Sequence, residues 1–469
     1  MNIGKKILNN VFKNKGVISV SIVGSFTEKK SLDQIGDLDV VVVCNKLSKQ
    51  LIKKLIKNIY KINKDNFKKK IIVNSSFGPL KISSKNFLPV HLMIYDVNSH
   101  IEHVTSSPFT CYDWERSNLY KGISLKQIYP VRNLQLRDFI NSRRSSKEYL
   151  EDLSKNRITI RKYTFKKKKI KTVKEFIKID KRNRGEFVYH IINFLIINLN
   201  KFIQNKNIKI KNKKFDNLFL KITNNDRDLL NDFKILRKQK EQKLLSYKPE
   251  ILILAKKFIL KYNEFLKNLN KEFVEFSFIR HAKTKKNINR TFLGSGSDPD
   301  IIHKKKYKKY SEKFDLIITS TLKRSKSTSK LFKTKKTMQN KLVNEINYGL
   351  AEGMSFNQLK SNFPRVINFW KKGFDTKYPR GENSKDVERR VKKFLRYLSK
   401  IKDKKKILII SHSFFLRVLL SVILKFNLKN IYKLKIGYLK VFKILKKKRD
   451  FYSNLDRKEI ERFYKQLHD

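Results

Sequence analysis

Cysteine is almost missing from this chain: there are two in 469 residues, Cys44 and Cys111. Two thiols exclude a disulfide framework and a cysteine-based zinc spacing. Cys44 closes an apolar run, which predicts a core position. Histidine is sparse as well, at 8, so any histidine beside another chemically competent residue stands out. No long hydrophobic run is present. The longest, Phe187 to Leu199, is interrupted by His190, Asn193 and Asn198 and is too short to span a bilayer. Met1 to Lys15 lacks the continuous apolar stretch of a secretory signal. These absences predict a soluble, cytoplasmic protein.

Acidic residues are also few. The chain has 41 Asp and Glu against 110 Lys and Arg, a formal net charge of +69. Such a balance invites a polyanionic partner, whose binding would be strongly salt-dependent. Lys, Asn and Ile crowd even ordinary segments such as Lys201 to Lys214. Drift toward AT-rich codons produces that pattern, and the basic runs then read mainly as solvated faces.

What is present is enough apolar material for packed domains: 40% hydrophobic residues, with 34 Phe and 19 Tyr. The length predicts two or three domains. Early in the chain, helix and strand signals alternate: helical spacing at Ile7 to Phe12, strands at Val17 to Val23 and Leu38 to Val43, an amphipathic helix at Leu47 to Ile62, and a strand at Val90 to Tyr95. From Leu134 to Leu269 the pattern turns helical, at Glu186 to Ile203, Asp226 to Lys238 and Pro249 to Leu269. The basic runs Lys166 to Lys171 and Lys206 to Lys214 read as exposed connections. After Glu272, strands alternate with helices: Phe273 to Ile279, Leu316 to Thr319, Ile407 to Ser411 and Tyr438 to Ile444. That βαβ rhythm predicts a second α/β domain. The expected division is 1–133, 134–271 and 272–469.

The first chemical signal is FSFIRHAKTKKN, where an apolar strand ends on Arg280-His281. His412 stands in the same position after KKKILIISHS, and the strand in DLIITSTLKRSKSTS ends at Ser320 and delivers Arg324 from the next turn. Strands of α/β sheets gather ligands at their carboxyl ends. Two His and two Arg converging there suit phosphoryl transfer. The guanidinium fork holds phosphate oxygens, and a neutral imidazole can attack phosphorus. Nearby cations should keep that imidazole unprotonated.

These stretches resemble the histidine phosphatase superfamily, which includes the cofactor-dependent phosphoglycerate mutases. The signature Arg-His-Gly-x-Thr-x-x-Asn reads here as Arg280-His281-Ala282-Lys283-Thr284-Lys285-Lys286-Asn287, and Ser-x-Leu-x-Arg-Ser as Ser320 to Ser325. VNEINYGLAEG resembles the segment carrying the catalytic acid, here Glu345. GENSKDVERRV resembles the Gly-Glu-Ser segment, and ISHSFFLRVLL carries the second histidine. The resemblance covers nearly all of 272–444. It implies a phosphoglycerate mutase-like α/β fold and a phosphohistidine at His281, with Arg280, Arg324 and His412 on the phosphoryl oxygens. Glu345 would serve as acid and then base, and Asn287, Gly294 and Ser413 would contact substrate. No cofactor is implied for this domain, and a small phosphorylated metabolite is the implied partner. Ala282 and Ser413 stand where the family usually has glycine.

The second signal is SIVGSFTEKKSLDQIGDLDVVVV. A strand runs into Gly24-Ser25, and Asp37-x-Asp39 opens the next. Residues two apart on a strand share a face, so both carboxylates can reach one Mg²⁺. Gly24 would let the backbone approach phosphates, and Ser25 would donate to them. This resembles the polymerase-β-type nucleotidyltransferases over roughly 1–100. It implies an α+β domain, Mg²⁺ at Asp37 and Asp39, and a nucleoside triphosphate substrate, with the helices of 134–271 covering the cleft. The third carboxylate of that family falls on His91, as base, ligand or packed side chain. Asp96 has the opposite parity. Arg182, Arg184 and His190 are candidate phosphate contacts, with surface charge the simpler reading.

The favoured reading is therefore a bifunctional enzyme, joining a Mg²⁺-dependent nucleotidyltransferase to a phosphatase of small metabolites such as sugar or alcohol phosphates. Two alternatives are a phosphatase regulated by a degenerate nucleotide-binding domain and an RNA-modifying nucleotidyltransferase. The second is less favoured, because no aromatic-rich RNA-binding motif stands out.

Overall fold

The structure is a computed structural model. It describes residues 3–24, 38–61, 70–74, 76–77, 87–112, 114, 117–131, 134–166, 169–204, 210–242, 246–289, 291–302, 307–372, 374–401, 406–424, 428–456, 458–459, 462–463 and 466. The chain divides into two compact units, Met1–Asn268 and Leu269–Asp469. Among the described residues, no helix is long and apolar enough to cross a membrane.

The first unit is built on Val17–Val23 (β1), Leu38–Cys44 (β2), Lys70–Asn74 (β3), Ser76–Phe77 (β4), Phe87–Asp96 (β5) and Tyr120–Gly122 (β6). Five of these make a mixed sheet in the order β3-β5-β2-β1-β6. In the central strand β2 every side chain but Asp39 is buried, as a continuous β-branched run demands when both faces are covered. The helices Ile3–Phe12 and Lys49–Tyr60 lay Ile7, Val11, Leu55 and Ile59 on Val20, Ile22, Val40 and Val42. Cys44 lies in this core, where burial pushes its thiol up to about 12.

Farther along, the wholly helical expectation is corrected. Arg157–Lys166 (β7) and Lys169–Lys178 (β8) pair antiparallel from Arg157↔Lys178 to Lys166↔Lys169, with β4 alongside. The run Lys166 to Lys171, expected as a connection, therefore includes the paired ends of a hairpin. Ile158 and Ile160 are buried while Arg157 stands over the Phe176 ring at 3.8 Å. This alternation is what a strand requires; the lysines around it hide the pattern. The helices Arg184–Gln204, Asn212–Ile222, Arg227–Glu241 and Ile251–Lys271 follow. Phe219 joins several of them, with ring centroids 5.6 Å from Phe233 and 5.1 Å from Phe258.

In the second unit, the strands are Val274–Arg280 (β9), Lys313–Phe314 (β10), Leu316–Thr319 (β11), Lys333–Thr334 (β12), Thr337–Gln339 (β13), Ile407–Ser411 (β14), Phe442–Lys447 (β15) and Asp450–Ser453 (β16). The main sheet runs β13-β11-β14-β9-β15-β16. Its first four strands are parallel, and β15 runs against β9. The strand expected from Tyr438 begins at Phe442; Tyr438 makes only an isolated bridge to Arg280. Register sets Ser411 beside Arg280 and Thr319 beside Ile410. The carboxyl ends of three neighbouring parallel strands thus open on one edge.

Candidate active site

Arg280 is the last residue of β9 and His281 the next. The His281 ring is 2% exposed, and its Nδ1 lies 2.6 Å from the Ala282 carbonyl oxygen. A carbonyl only accepts, so Nδ1 carries the proton and Nε2 keeps its lone pair. Burial, then the Arg324 and Arg280 charges, hold this imidazole well below 6.5. The neighbouring strand end supplies His412, which is fully buried, with its ring centroid 5.0 Å from that of His281. Arg324 donates from Nε to His412 Nδ1 at 3.2 Å. His412 therefore carries its proton on Nε2 and donates it to Ser320 Oγ at 2.7 Å. Burial and the same arginines hold His412 neutral too.

The arginines are fixed by backbone carbonyls. Arg324 reaches Ser297 O at 2.7 Å and Gly294 O at 2.8 Å, while Arg280 reaches Ile436 O at 3.0 Å. Arg280 also donates to Tyr438 Oη at 2.9 Å and stacks over that ring at 3.8 Å. Its buried Nε–H has no hydrogen-bond partner, a donor left for an anion.

Glu345 lies 5% exposed against the start of the helix Ser413–Leu424, accepting from Phe414 N at 3.1 Å and Phe415 N at 3.2 Å. Glu382 and Arg390 brace its loop. They form a two-pronged pair at 2.8 and 2.9 Å, and Arg390 also holds the carbonyls of Leu342 and Asn344. This gives GENSKDVERRV its structural role: it fixes the acid-bearing segment.

A cavity of about 380 Å³ has Arg280, Asn287, Glu345, Ser413 and Arg417 in its lining, while His281, Arg324 and His412 are buried and lie outside that lining. Asn287 joins Thr284 in a capping box, with Oδ1 accepting from Thr284 N and Oγ1. Gly294 is not among the lining residues; it anchors Arg324 through its carbonyl, and a Cβ there would lie 2.2 Å from Glu352 Oε1. Arg417 was missed in the sequence. Its Nε donates to Leu434 O at 2.7 Å. It follows Ser413 by one helical turn, and that spacing is the signal that would have found it.

The family model of the histidine phosphatase superfamily (branch 1) matches residues 276–454. This region is a histidine phosphatase-like domain. It is 30% identical over 161 residues to a 6-phosphofructo-2-kinase/fructose-2,6-bisphosphatase of Arabidopsis thaliana, spanning 32% of this chain and only 21% of that protein. A 2,3-bisphosphoglycerate-dependent phosphoglycerate mutase of Rhizobium etli is 26% identical over 179 residues, 34% of this chain and 83% of its own. The solved alpha-ribazole phosphatase of Shigella flexneri is 18% identical, covering 39% of this chain and 97% of its own with a TM-score of 0.34.

In the first unit, Asp39 pairs with Val23 on one side and His91 on the other. Gly24 has φ +80°, and a Cβ there would lie 2.5 Å from Asp39 Oδ2. Ser25 and Asp37 lie outside the described residues. Asp96 caps the helix Val97–Ser106, accepting from Ser99 N at 2.7 Å. Among the described residues no cluster of three or more metal-ligating side chains occurs. Asp39 offers a carboxylate, whose hard oxygens suit Mg²⁺, and His91 a nitrogen, which does not. Of the candidate phosphate contacts, His190 Nε2 lies 3.0 Å from Tyr149 Oη, and Arg184 Nε donates to Asp180 O at 3.0 Å.

Proposed function

We propose that the second unit hydrolyses phosphomonoesters through a phosphoryl group carried on His281. The observation that carries this reading is the proton placement on His281: Nδ1–H is tied to Ala282 O, which aims the Nε2 lone pair as the nucleophile. That nitrogen attacks phosphorus and the P–O bond to the alcohol breaks, with its electron pair leaving on oxygen. Glu345 protonates that oxygen, then takes a proton from the water that cleaves the phosphohistidine. Arg280 and Arg324 bear the charge on the phosphoryl oxygens, His412 joins them by giving its Nε2–H to an oxygen in place of Ser320 Oγ, and Asn287, Ser413 and Arg417 contact the rest of the substrate. The relatives named for fructose bisphosphate and phosphoglycerate chemistry support a small phosphorylated metabolite, and the same phosphohistidine would serve a mutase. The test is phosphate release from a phosphomonoester panel. Turnover that survives EDTA and vanishes in His281→Ala supports the reading; turnover retained in His281→Ala overturns it.

A second reading concerns the first unit, favoured by Asp39 lying against Gly24, whose φ is +80°. We propose that this corner binds the Mg²⁺ complex of a nucleoside triphosphate, with Asp39 and Asp37 as the oxygen donors when the metal is bound. Transfer to an acceptor or regulation of the phosphatase would follow from that binding. Mass spectrometry of products formed from each nucleoside triphosphate and a phosphosugar library separates the two.

A further inference from the structure

A second and larger cavity, of about 1090 Å³, lies in the histidine phosphatase-like unit and shares Phe292 and Phe356 with the phosphate pocket. Its walls are aromatic: Trp370, Phe374, Tyr378 and Tyr432 join those two phenylalanines. The rings form a continuous set. Phe292 lies 5.0 Å from Tyr348, Tyr348 4.8 Å from Tyr378, and Tyr378 4.9 Å from Trp370. Tyr348 itself lines the phosphate pocket, so the set runs from one cavity into the other.

Apart from the tyrosine hydroxyls, the polar groups on this wall are engaged or exposed. Asp375, the one carboxylate among the described lining residues, accepts from Ser384 Oγ at 2.6 Å and from the amides of Ser384 and Lys385 at 3.1 Å. The Trp370 indole N–H donates to Thr376 O at 3.1 Å. Lys371, Lys372 and Lys385 are exposed. Yet Phe356, Phe374 and Tyr432 remain 55%, 59% and 50% exposed. Exposed aromatic rings beside a phosphate-binding pocket mark a site for an apolar group attached to the phosphate.

We propose that this aromatic cavity receives the alcohol portion of the substrate, which makes the preferred ester a phosphomonoester of an aryl-bearing or comparably bulky apolar alcohol. The proposal rests on the phosphohistidine reading above and adds the leaving-group class. A triose or other polyhydroxy alcohol would leave the rings in contact with water and gain nothing from them. An aromatic body stacked among them removes apolar surface on both partners.

The test compares phenylbutyl, butyl and glycerol phosphates, all esters of aliphatic alcohols, in the full-length protein. The phenylbutyl ester should show a kcat/KM roughly tenfold or more above butyl phosphate, and the ratio should shrink several-fold in Phe374→Ser and Tyr432→Ser. Equal kcat/KM for the three esters, abolished in each case by His281→Ala, would overturn the aromatic subsite and leave the phosphohistidine reading standing. A second readout needs no turnover. Phenylbutyl phosphonate should alter Trp370 fluorescence, judged against Trp370→Phe, at concentrations where butyl phosphonate has no effect. Identical responses to the two phosphonates would also overturn the proposal, whatever the protein hydrolyses.

Discussion

Arg324 and His412 are joined by a hydrogen bond of 3.2 Å from the guanidinium Nε to the imidazole Nδ1. That one bond decides which nitrogen of His412 carries the proton, and Ser320 Oγ receives it at 2.7 Å. The other end of Arg324 is held by two carbonyls. Of the five guanidinium hydrogens, these bonds commit three to the protein; the proposed phosphate contact would use the other two.

Arg324→Lys should therefore be far from conservative. One ammonium cannot hold His412, Ser297 O and Gly294 O and still meet a phosphate. Phosphatase kcat/KM should fall by roughly 10²-fold or more, and urea denaturation should show about 1–3 kcal/mol less stability. A variant with wild-type kcat/KM would remove Arg324 from the phosphate site.

The pH dependence follows from the two buried imidazoles. Both have folded-state values well below 6.5, so between those values and 6.5 the unfolded chain binds the extra protons. Stability should be level above about 6.5 and decline as pH falls below it. His100, lowered to about 4 by burial, adds the same sign in the first unit. Urea midpoints at stepped pH values check this, and the acidic limb of kcat/KM should lie below 6.5. A limb centred at or above 6.5 would contradict a nucleophile kept neutral by its surroundings.

The observed contact of Glu345 and its proposed role as the acid predict separable effects. Its carboxylate receives the first amides of the helix Ser413–Leu424, so Glu345→Ala should cost about 1–2 kcal/mol as lost capping. As the acid, it matters most when the leaving alcohol is poor. Glu345→Gln should lose far more kcat on an alkyl phosphate than on an activated aryl phosphate. Equal losses on both would leave only the capping role.

Much of this site is legible because its strands are covered on both faces. VEFSFIR and ILIIS read as apolar runs that break at a functional residue, and the structure places those breaks side by side. The hairpin Arg157–Lys178 was not legible, since lysine at so many positions obscures the two-residue period. Arg417 was hidden by its apolar helix, where a lone charge reads as noise until the helical turn from Ser413 is counted. The aromatic cavity is harder still. Phe292, Trp370, Tyr378 and Tyr432 come from separate segments, and only the tertiary fold joins them.

In the first unit, the proposed nucleotide site predicts that Asp39→Asn abolishes binding of a Mg²⁺–nucleoside triphosphate while phosphatase kcat/KM stays within about twofold, because the two proposed sites lie in separate compact units. Calorimetric titration of the nucleotide in the presence of Mg²⁺ measures the first effect. Undiminished binding would remove Asp39 from any nucleotide site.

The central claim is the covalent intermediate on His281. Mixing enzyme with a phosphomonoester, quenching in alkali and mapping peptides by mass spectrometry tests it most directly. One phosphoryl group should be found on the peptide containing His281, lost on acid treatment and missing in His281→Ala. Rapid phosphate release with no modification of His281 at any quench time, or a phosphoryl group trapped on another residue, would contradict it.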